Sequence, residues 1–530
     1  METLLIVGAG PVGLTMACEL VRHGVLCRVI DKAAQRSQTS KALGVFPRTL
    51  EVFETMGVID KVLAAGLRLR GLCIHNQKDQ IAAIDMSAVG SPYPFVFSLA
   101  QSETERILIE HVENLGVSVE REQELVGLTQ TDTAVIATIR HVSGREETIE
   151  TPWLLGCDGA HSGTRHLLNM DFEGAPYDES FVLADAKVDA PVSKDQVHLF
   201  TSEEGIFAII ALDSERSRVI ANIPSETRAQ DLPEMTLAEI QEIADRRGPP
   251  GTRLSDATWI SRFHISHRKV KEFRKLRVFL AGDSAHIHSP AGGQGMNTGI
   301  QDAFNLAWKL ALVLRERAPV QLLASYNIER EPIARGVLNL TDRITRMATI
   351  RNPILQTARN ILLPIFSGID FLEEKIADRL AELSVNYRSS PIVEHHGPGS
   401  LRAGDRAPDA ELRDTNGKAR RLFELFREPR HTLLLFVGAF ANPEVEKFRQ
   451  EVGESLGELI QTHRIVHGQS SVVTDDLLDV SGNAHALYQV RHGGIILVRP
   501  DGYIGYRSDS FDITGFHTFL NKIFIRPAEG

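Results

Sequence analysis

The feature that most constrains this chain of 530 residues is a strand–loop–helix–strand unit at its N-terminus. The apolar run Leu4–Val7 has the pattern of a strand buried in a parallel sheet. A loop with the spacing G-x-G-x-x-G follows, then a helix and a second strand that ends at Asp31. Such a loop lets backbone approach a pyrophosphate closely, and an acid after the second strand binds ribose hydroxyls. The unit therefore predicts a dinucleotide site formed by Gly8, Gly10, Pro11, Val12 and Gly13, with Asp31 and Lys32.

Two later loops repeat the order of apolar strand, glycine, acid and helix. The second loop of the chain, Gly156–Arg165, contains Asp158, and the third loop, Gly282–His286, contains Asp283. After the third loop the chain is rich in glycine up to Asn297 and then has the three- and four-residue periodicity of an amphipathic helix. Backbone N–H groups in such a loop and the positive end of a helix favour a ligand with an electron-rich edge. Taken alone, an ordinary glycine-rich connection explains the third loop as well.

Charge and cysteine content exclude several classes of protein. The net charge of −11 supplies no basic footprint for a nucleic-acid partner. Four cysteines without CxxC spacing predict a reduced, cytoplasmic protein that has neither disulfides nor a metal site. Glycines at 8, 10 and 13 interrupt the apolar N-terminal run, which predicts a buried strand and neither a signal peptide nor a membrane span.

The middle of the chain predicts the wall of a pocket. Alternating apolar residues over 181–225 indicate an antiparallel sheet. We expect this sheet to wall a substrate pocket, and its apolar residues suit an aromatic ligand, although core packing explains them equally well. The residues in question are Phe207, Ile209, Ile210 and Leu212.

The tail of the chain predicts a small α/β domain of its own. Its elements follow the order βαβαββα, which is the order of thioredoxin, with a helix over 478–488 and a hairpin that turns at Asp501-Gly502. No cysteine occurs after Cys157. The tail is therefore expected to act as a scaffold or an interface and not as a redox centre.

In this order, the three loops resemble those of the FAD-dependent aromatic hydroxylases, the single-component (group A) flavoprotein monooxygenases. The cysteine-free tail resembles that of the phenol and polyketide hydroxylase branch, so the resemblance covers essentially the whole chain. It implies an α/β fold with a Rossmann-like FAD-binding domain, an interleaved and mainly antiparallel β substrate domain, a helical segment and a thioredoxin-like domain. The implied boundaries are 1–175 with 265–385 for the FAD domain, 70–100 with 176–264 for the substrate domain, 386–402 for a linker and 403–530 for the tail.

The resemblance also implies roles for individual residues. Asp31 takes the place of the ribose-binding acid, which is usually a glutamate in this family. Lys41 stands where many members have an arginine near the pyrophosphate, and Gln101 matches a glutamine that contacts FAD. Asp158 lies in a motif that serves both FAD and NAD(P)H, and Asp283 lies in the motif that binds the ribityl chain. The loop beside the flavin ring is matched by Pro290, Gly293, Gly295, Met296 and Asn297.

The implied activity is hydroxylation of an aromatic substrate, phenolic or polycyclic and polyketide-like, through a flavin C4a-hydroperoxide, with consumption of NAD(P)H and O₂. The implied partners are these small molecules, without nucleic acid or membrane, and a homodimer is compatible with the sequence. Two alternatives remain: another FAD-dependent oxidoreductase (an epoxidase, Baeyer–Villiger enzyme or reductase), and a non-catalytic carrier of the GDP dissociation inhibitor type. The motifs identify no catalytic base, and we expect His286 to have a structural hydrogen-bonding role.

Overall fold

A computed structural model of the chain describes residues 3–39, 42–76, 79–224, 234–288, 293–348, 370–438, 443–467 and 475–525. Two residues of the predicted flavin site, Lys41 and Pro290, lie outside these ranges. Within the described ranges, none of the helices combines the length and the apolar character that crossing a membrane requires.

The secondary structure alternates between short parallel strands, long antiparallel strands and helices. The elements of the first third are β1 (Leu4–Val7), α1 (Pro11–Arg22), β2 (Cys27–Asp31), β3 (Gly44–Val45), α2 (Pro47–Thr55), α3 (Ile59–Ala64), β4 (Leu67–Leu69), β5 (Gly71–Asn76), β6 (Asp79–Asp85), β7 (Val96–Ser98), α4 (Gln101–Asn114), β8 (Val119–Arg121), β9 (Gln123–Gln130), β10 (Val135–His141), β11 (Glu146–Thr151), β12 (Leu154–Gly156) and α5 (Gly163–Leu167). Those of the middle are β13 (Glu173–Asp189), β14 (Val197–Ser202), β15 (Gly205–Ala211), β16 (Arg216–Pro224), α6 (Leu237–Arg247), β17 (Arg253–Lys269), β18 (Arg274–Lys275), β19 (Val278–Leu280), β20 (His286–Ile287), α7 (Gly295–Leu314), α8 (Ala324–Ala348) and α9 (Asp370–Leu380). Those of the tail are β21 (Glu394–His395), β22 (Glu411–Asp414), β23 (Ala419–Arg421), α10 (Leu422–Leu425), β24 (His431–Val437), α11 (Pro443–Leu456), β25 (Ile460–His467), β26 (Leu477–Asp479), α12 (Asn483–Leu487), β27 (Gly494–Val498), β28 (Ile504–Ser508) and α13 (Ile513–Ile523).

The N-terminal sheet brings the three glycine–acid loops to one edge. Its strands lie in the order β18-β19-β12-β1-β2-β8. β1 pairs in parallel with β2 and with β12, and β12 pairs in parallel with β19. These strands are short and apolar, and β1, β12 and β19 are buried along their whole length, as expected for a sheet covered on both faces. The carboxyl ends of β1, β12 and β19 therefore meet where the three loops begin.

A second, mainly antiparallel sheet follows the order β20-β17-β13-β16-β15-β14-β5-β6. All its pairs are antiparallel except β5 with β14, which run in parallel. α6 covers one of its faces, and the cluster beneath that helix includes Phe207 and Ile209. Phe207 and Ile209 therefore belong to the core between the sheet and α6, and they do not line the substrate pocket that the sequence suggested. The domain boundaries given above stay a prediction.

The tail forms an eight-stranded sheet in the order β21-β28-β27-β24-β25-β26-β22-β23. β24 and β25 are parallel, and the β27–β28 hairpin turns at Asp501-Gly502 as the sequence predicts. The helix predicted over 478–488 is wrong in its first half: the chain there first forms β26 and becomes helical only at Asn483. A hydrogen bond from the N–H of His485 to the carboxylate of Asp479, at 2.8 Å, connects that short helix to the strand.

Buried ion pairs join the tail to the rest of the molecule. Arg406 contacts Glu51 of α2 at 2.8 Å. Arg499, which directly precedes the hairpin turn, contacts Glu329 of α8 at 2.7 Å, and both side chains are fully buried. A buried charge is stable only when an oppositely charged group lies beside it. The tail and the rest of the molecule therefore each supply the partners for the buried charges of the other.

Candidate active site

The first loop is close-packed except at Gly10. Gly8 has a φ of 104°, and a Cβ at this position would clash with the carbonyl oxygen of Cys157. A Cβ at Gly13 would clash with the carbonyl oxygen of Gly8, so α1 lies directly against the end of β1. At Gly10, the residue before α1, a Cβ would meet no atom within 4 Å. Open space beside backbone N–H groups at a helix N-terminus fits a pyrophosphate.

Asp31 contacts the first loop from the end of β2. Its Oδ2 accepts a hydrogen bond from the N–H of Ala9 at 2.7 Å, and its Oδ1 accepts one from the N–H of Ala33 at 2.8 Å. A carboxylate offers about four acceptor positions, so the group retains capacity for ribose hydroxyls. Lys32, the next residue, is exposed.

The third loop lies beside the first. Gly282 has a φ of 62°, and a Cβ there would lie 2.8 Å from Cγ2 of Val12. A Cβ on Gly299 of α7 would lie 3.0 Å from the Cα of Gly282. Asp283 is exposed, although Gly282 and Ser284 on either side of it are buried. Two loops that are far apart in sequence thus form one surface that carries an accessible carboxylate.

The second loop uses its acid locally. The carboxylate of Asp158 accepts hydrogen bonds from the N–H and the hydroxyl of Thr164, both at 2.9 Å, and from the hydroxyl of Ser162. These bonds cap the start of α5. Arg165 of that helix donates to the carbonyl oxygen of Ser284 at 3.0 Å, which ties the second loop to the third. The sequence places Arg165 in the motif but does not predict this link.

The first turn of α7 supplies backbone donors. The helix begins at Gly295, and a bond from the N–H of Thr298 to the carbonyl of Gln294, at 2.9 Å, marks the start of its hydrogen-bond ladder. The N–H groups of Gly295, Met296 and Asn297 precede that ladder. Together with the positive end of the helix dipole they favour a negatively polarised ligand atom.

The side chain of Asn297 is fully buried and has a structural function. Its amide nitrogen donates to the carbonyl oxygens of Gly44, at 2.9 Å, and Gly293, at 3.0 Å. Its oxygen accepts a bond from the N–H of Phe46 at 3.0 Å. The backbone of Asn297 is therefore the part that can face a ligand. The side chain holds the start of α7 against β3.

Gln101, the first residue of α4, contacts the segment that leads into β3. Its N–H donates to the carbonyl of Ala42 at 3.1 Å, and its side-chain amide donates to Glu105 at 2.9 Å. The predicted FAD contact at Gln101 therefore lies next to the chain that follows Lys41.

Asp302 of α7 connects four parts of the site. Its carboxylate accepts bonds from the N–H of Gly282 at 3.0 Å, from His286 at 2.7 Å and from Arg330 at 2.7 Å. Burial alone would raise the pKa of Asp302, but the charges of Arg330 and His286 outweigh it and hold the pKa below its ordinary value. The imidazole of His286 is buried and stacks on the ring of Phe273, with the two ring centroids 5.5 Å apart. This geometry agrees with the structural role that we expect for His286.

Glu382 is a buried carboxyl group that no sequence motif indicates. It contacts the amide of Gln301 and the hydroxyl of Thr298, both on α7. Burial raises the pKa of Glu382, whereas the charge of Arg330 and the two hydrogen bonds lower it. The effect of burial is the larger one, and the resulting pKa is about 8. A carboxyl group that is neutral near pH 7 thus lies against the first turns of the helix that follows the glycine-rich loop.

The second sheet has an apolar face opposite to α6. Phe181 and Ile206 are buried there, and Leu199, Ile220 and Phe263 pack around them while staying partly accessible. The rings of Phe181 and Phe263 stack with their centroids 6.0 Å apart. The sequence points to the correct sheet, but the alternation of residues does not tell which of its faces is covered by a helix.

Comparison with known proteins identifies the family. The FAD binding domain family model matches residues 1–341, and the model of the C-terminal part of aromatic-ring hydroxylases matches residues 400–527. A flavin-dependent monooxygenase of Mycobacteroides abscessus is 33% identical over 96% of this chain and 97% of its own length. Pentachlorophenol 4-monooxygenase of Sphingobium chlorophenolicum is 32% identical over 95% of this chain and 93% of its own length.

A solved structure supports the same assignment. The OxyS anhydrotetracycline hydroxylase of Streptomyces rimosus superimposes with a TM-score of 0.80 at 28% identity and covers 99% of this chain and 100% of its own. These findings confirm the predicted fold class and the predicted FAD dependence, and they favour neither a carrier nor another reaction type. The chain belongs to the family of FAD-dependent aromatic-ring hydroxylases and is an FAD-dependent monooxygenase.

Proposed function

We propose that FAD lies across the carboxyl ends of β1, β2 and β19. The observation that carries this proposal is the open space at Gly10, where a Cβ would meet no atom within 4 Å in an otherwise close-packed loop. In this arrangement the first loop holds the pyrophosphate and Asp31 holds the ribose. Asp283, exposed between buried neighbours, holds the ribityl chain. The loop at Gly293 and the first turn of α7 hold the flavin ring.

The residues of the chain then perform three tasks around the cofactor. Bound FAD supplies the redox chemistry, with NAD(P)H and O₂ as the co-substrates typical of the family. The N–H groups of Gly295, Met296 and Asn297 stabilise negative charge on the pyrimidine side of the ring. Asp302 fixes the third loop by its bond to the N–H of Gly282. The apolar face at Phe181 excludes water from the place where oxygen is transferred.

The substrate we propose is a phenolic or polycyclic aromatic compound that lies between the flavin ring and the second sheet. Support comes from the partly accessible apolar side chains around Phe181 and Ile206. It also comes from relatives whose names specify aromatic substrates, pentachlorophenol and 6-methylpretetramide. Aromatic faces and branched side chains bind such rings mainly by burial of apolar area.

Replacing Gly10 by alanine tests the position of the cofactor. Because a Cβ at Gly10 meets no protein atom and the φ of this residue is −80°, we expect Gly10→Ala to fold normally without FAD. With FAD the new methyl group lies where the pyrophosphate approaches, and we expect affinity to fall at least about tenfold, or about 1.4 kcal/mol. Flavin fluorescence titration of the apoprotein measures the loss.

Gly453→Ala is the matched control for that experiment. Gly453 lies within α11, far from the loop in sequence, and a Cβ there also meets no atom within 4 Å. We expect its FAD affinity to equal that of the wild type. Equal affinity of Gly10→Ala and wild type would place the pyrophosphate elsewhere.

A panel of phenols and polycyclic aromatics tests the substrate class. We expect a true substrate to accelerate NAD(P)H oxidation and to yield a hydroxylated product with little H₂O₂. Phe263→Ala should raise the KM for that substrate by about 10-fold or more, since it removes a partly accessible aromatic ring from the proposed substrate face and such a contact is worth over 1 kcal/mol. Phe207→Ala is the comparison, because Phe207 lies on the face under α6. An equal rise of KM in both variants, or no stimulation by any aromatic compound, contradicts the proposal.

We also propose a cytoplasmic location, supported by four cysteines that are all free and buried. A homodimer stays a prediction from the sequence.

A further inference from the structure

Three metal-ligating side chains meet on two neighbouring strands of the second sheet. Cys73 and His75 alternate along β5, and the parallel pairing with β14 aligns His198 with Cys73. One ligand atom of each residue lies within 4.8 Å of the other two. Nε2 of His75 and Nδ1 of His198 are 3.0 Å apart. The chain therefore gathers one sulfur and two imidazole nitrogens at one point, although Cys73 and His198 are far apart in sequence.

The cluster lies away from the proposed flavin and substrate site. Residues aligned across a pair of strands share a face, so His75 lies on the same face as Phe200, on which its ring stacks at 4.6 Å. Phe200 belongs to the core beneath α6, together with Phe207. The substrate face around Phe181 is the opposite one. The three residues thus have no part in the monooxygenase reaction described above.

The tautomer of His198 follows from its hydrogen bonds. Its Nε2 lies 2.9 Å from the carbonyl oxygen of Ser193, which can only accept a hydrogen bond. Nε2 therefore carries the proton, and Nδ1 of the neutral ring offers its lone pair toward His75. A backbone carbonyl that holds the second nitrogen of a histidine is the usual outer contact of a metal ligand.

We propose that Cys73 Sγ, His75 Nε2 and His198 Nδ1 bind a divalent cation of the Zn²⁺ type. Sulfur and imidazole ligands select Zn²⁺ and related metals over Mg²⁺ and Ca²⁺. Two nitrogens on a tetrahedral Zn²⁺, each at about 2.0–2.1 Å, lie about 3.3 Å apart. The observed 3.0 Å needs a change of only a few tenths of an ångström. Water completes the tetrahedron, because among the described residues no further histidine, cysteine or acid joins the group.

Binding of the cation would displace the proton of the Cys73 thiol to solvent, because the thiolate is the form of cysteine that ligates a metal. Because Cys73 and His75 lie on β5 and His198 lies on β14, the bound ion would connect these two strands. It would thereby also fix β6, which pairs with β5 at the edge of the sheet.

The sequence predicts no metal site, and this proposal departs from that prediction. The plain alternative is a hydrogen bond between two neutral imidazoles, which needs no metal. A second group, His467 with Asp479 and His485, serves as the comparison. There Nδ1 of His485 faces the Asp479 carboxylate at 2.8 Å and Nε2 faces the carbonyl of Val437 at 3.2 Å. Both nitrogens of His485 thus face oxygen atoms at hydrogen-bond distance, which leaves neither nitrogen directed at an open ligand position.

Metal binding to the full-length holoenzyme tests the proposal. After dialysis against a chelator, the protein is titrated with Co²⁺, whose ligand-field bands lie to the red of flavin absorption, and then with Zn²⁺ as competitor. We expect one tetrahedral Co²⁺ per chain with a thiolate charge-transfer band, and displacement by Zn²⁺. Elemental analysis after equilibrium dialysis gives the stoichiometry.

Variants separate this cluster from other sites. Cys73→Ser should abolish the thiolate band, and Cys73→Ser and His75→Phe should each weaken binding at least about 100-fold. His467→Ala should bind as the wild type does. Bound FAD and circular dichroism verify that each variant is folded, and His75→Phe replaces Cys73→Ser if the latter does not fold. No stoichiometric metal on the wild type, or binding that both cluster variants retain, overturns the proposal.

Discussion

Glu329→Gln is expected to destabilise the protein by about 3–5 kcal/mol, since it leaves buried cations without their carboxylate. Glu329 accepts bonds from Lys309 at 2.7 Å and from Arg499 at 2.7 Å and 3.0 Å, and all three side chains are fully buried. Burial alone would raise the pKa of Glu329, but Arg499 and Lys309 hold it far below its usual range. Burial lowers the pKa of Lys309 to about 8, so the lysine is still charged near pH 7.

Thermal and urea unfolding, followed by tryptophan fluorescence and flavin release, measure this effect. Trp308 reports on the region because its ring nitrogen lies 3.2 Å from Asp501, the other carboxylate of the network. Glu458→Gln is the matched control, since Glu458 joins the tail to Arg317, just after α7, by an ion pair of 2.9 Å with its side chain 72% exposed. We expect it to cost at most about 1 kcal/mol. Similar losses in both variants would show that burial of the network is not the cause.

Stability should fall as pH rises because of Glu382. The pKa of this buried carboxyl is raised from 4.5 to about 8, so the folded state holds a proton that the unfolded state releases. The stability that this proton provides is fully present below pH 4.5 and is lost as pH rises through about 8. A shift of this size corresponds to up to about 5 kcal/mol.

Glu382→Gln should remove this dependence. Glutamine keeps an oxygen for the amide of Gln301 and cannot ionise. We expect the wild type and the variant to have similar melting temperatures at low pH, and the variant to melt higher above pH 8. Glu242→Gln, at an exposed site on α6, controls for the loss of one acidic group. Parallel melting curves of wild type and Glu382→Gln across this range would contradict the raised pKa.

The parts of the fold that were predictable are those with a local signal. The first loop, the strand before it and the helix after it are contiguous, and each glycine has a distinct steric task that spacing alone reveals. The turn at Asp501-Gly502 is similarly local. The helix predicted over 478–488 was wrong in its first half because pairing with β25 and β22 makes Leu477–Asp479 a strand. Tertiary contact overrides local preference there.

The groups that sequence reasoning missed depend on long-range contact. Glu382 meets Gln301 only because α9 ends beside α7, and no spacing indicates this. Cys73 and His198 are brought together by a parallel pairing of β5 with β14. For Asp158 the sequence motif indicates the correct loop. The spacing of the motif does not reveal, however, that the carboxylate of Asp158 caps the start of α5. Motifs locate loops, whereas the orientation of each side chain is settled by packing.

The buried bond between Arg499 and Glu329 has a consequence for the order in which the protein matures. During synthesis, α7 and α8 leave the ribosome long before residue 499, so Glu329 can pair with Lys309 early but must wait for its guanidinium partner, Arg499. Until then α7, whose first turn we propose to face the flavin ring, lacks the contacts of Asn305 and Trp308 with Asp501 near its far end. A nascent chain is therefore expected to bind FAD tightly only after Arg499 and Asp501 have been synthesised and have packed against α7 and α8. The cysteine-free tail thus completes the buried ion-pair network that holds α7 and α8 together.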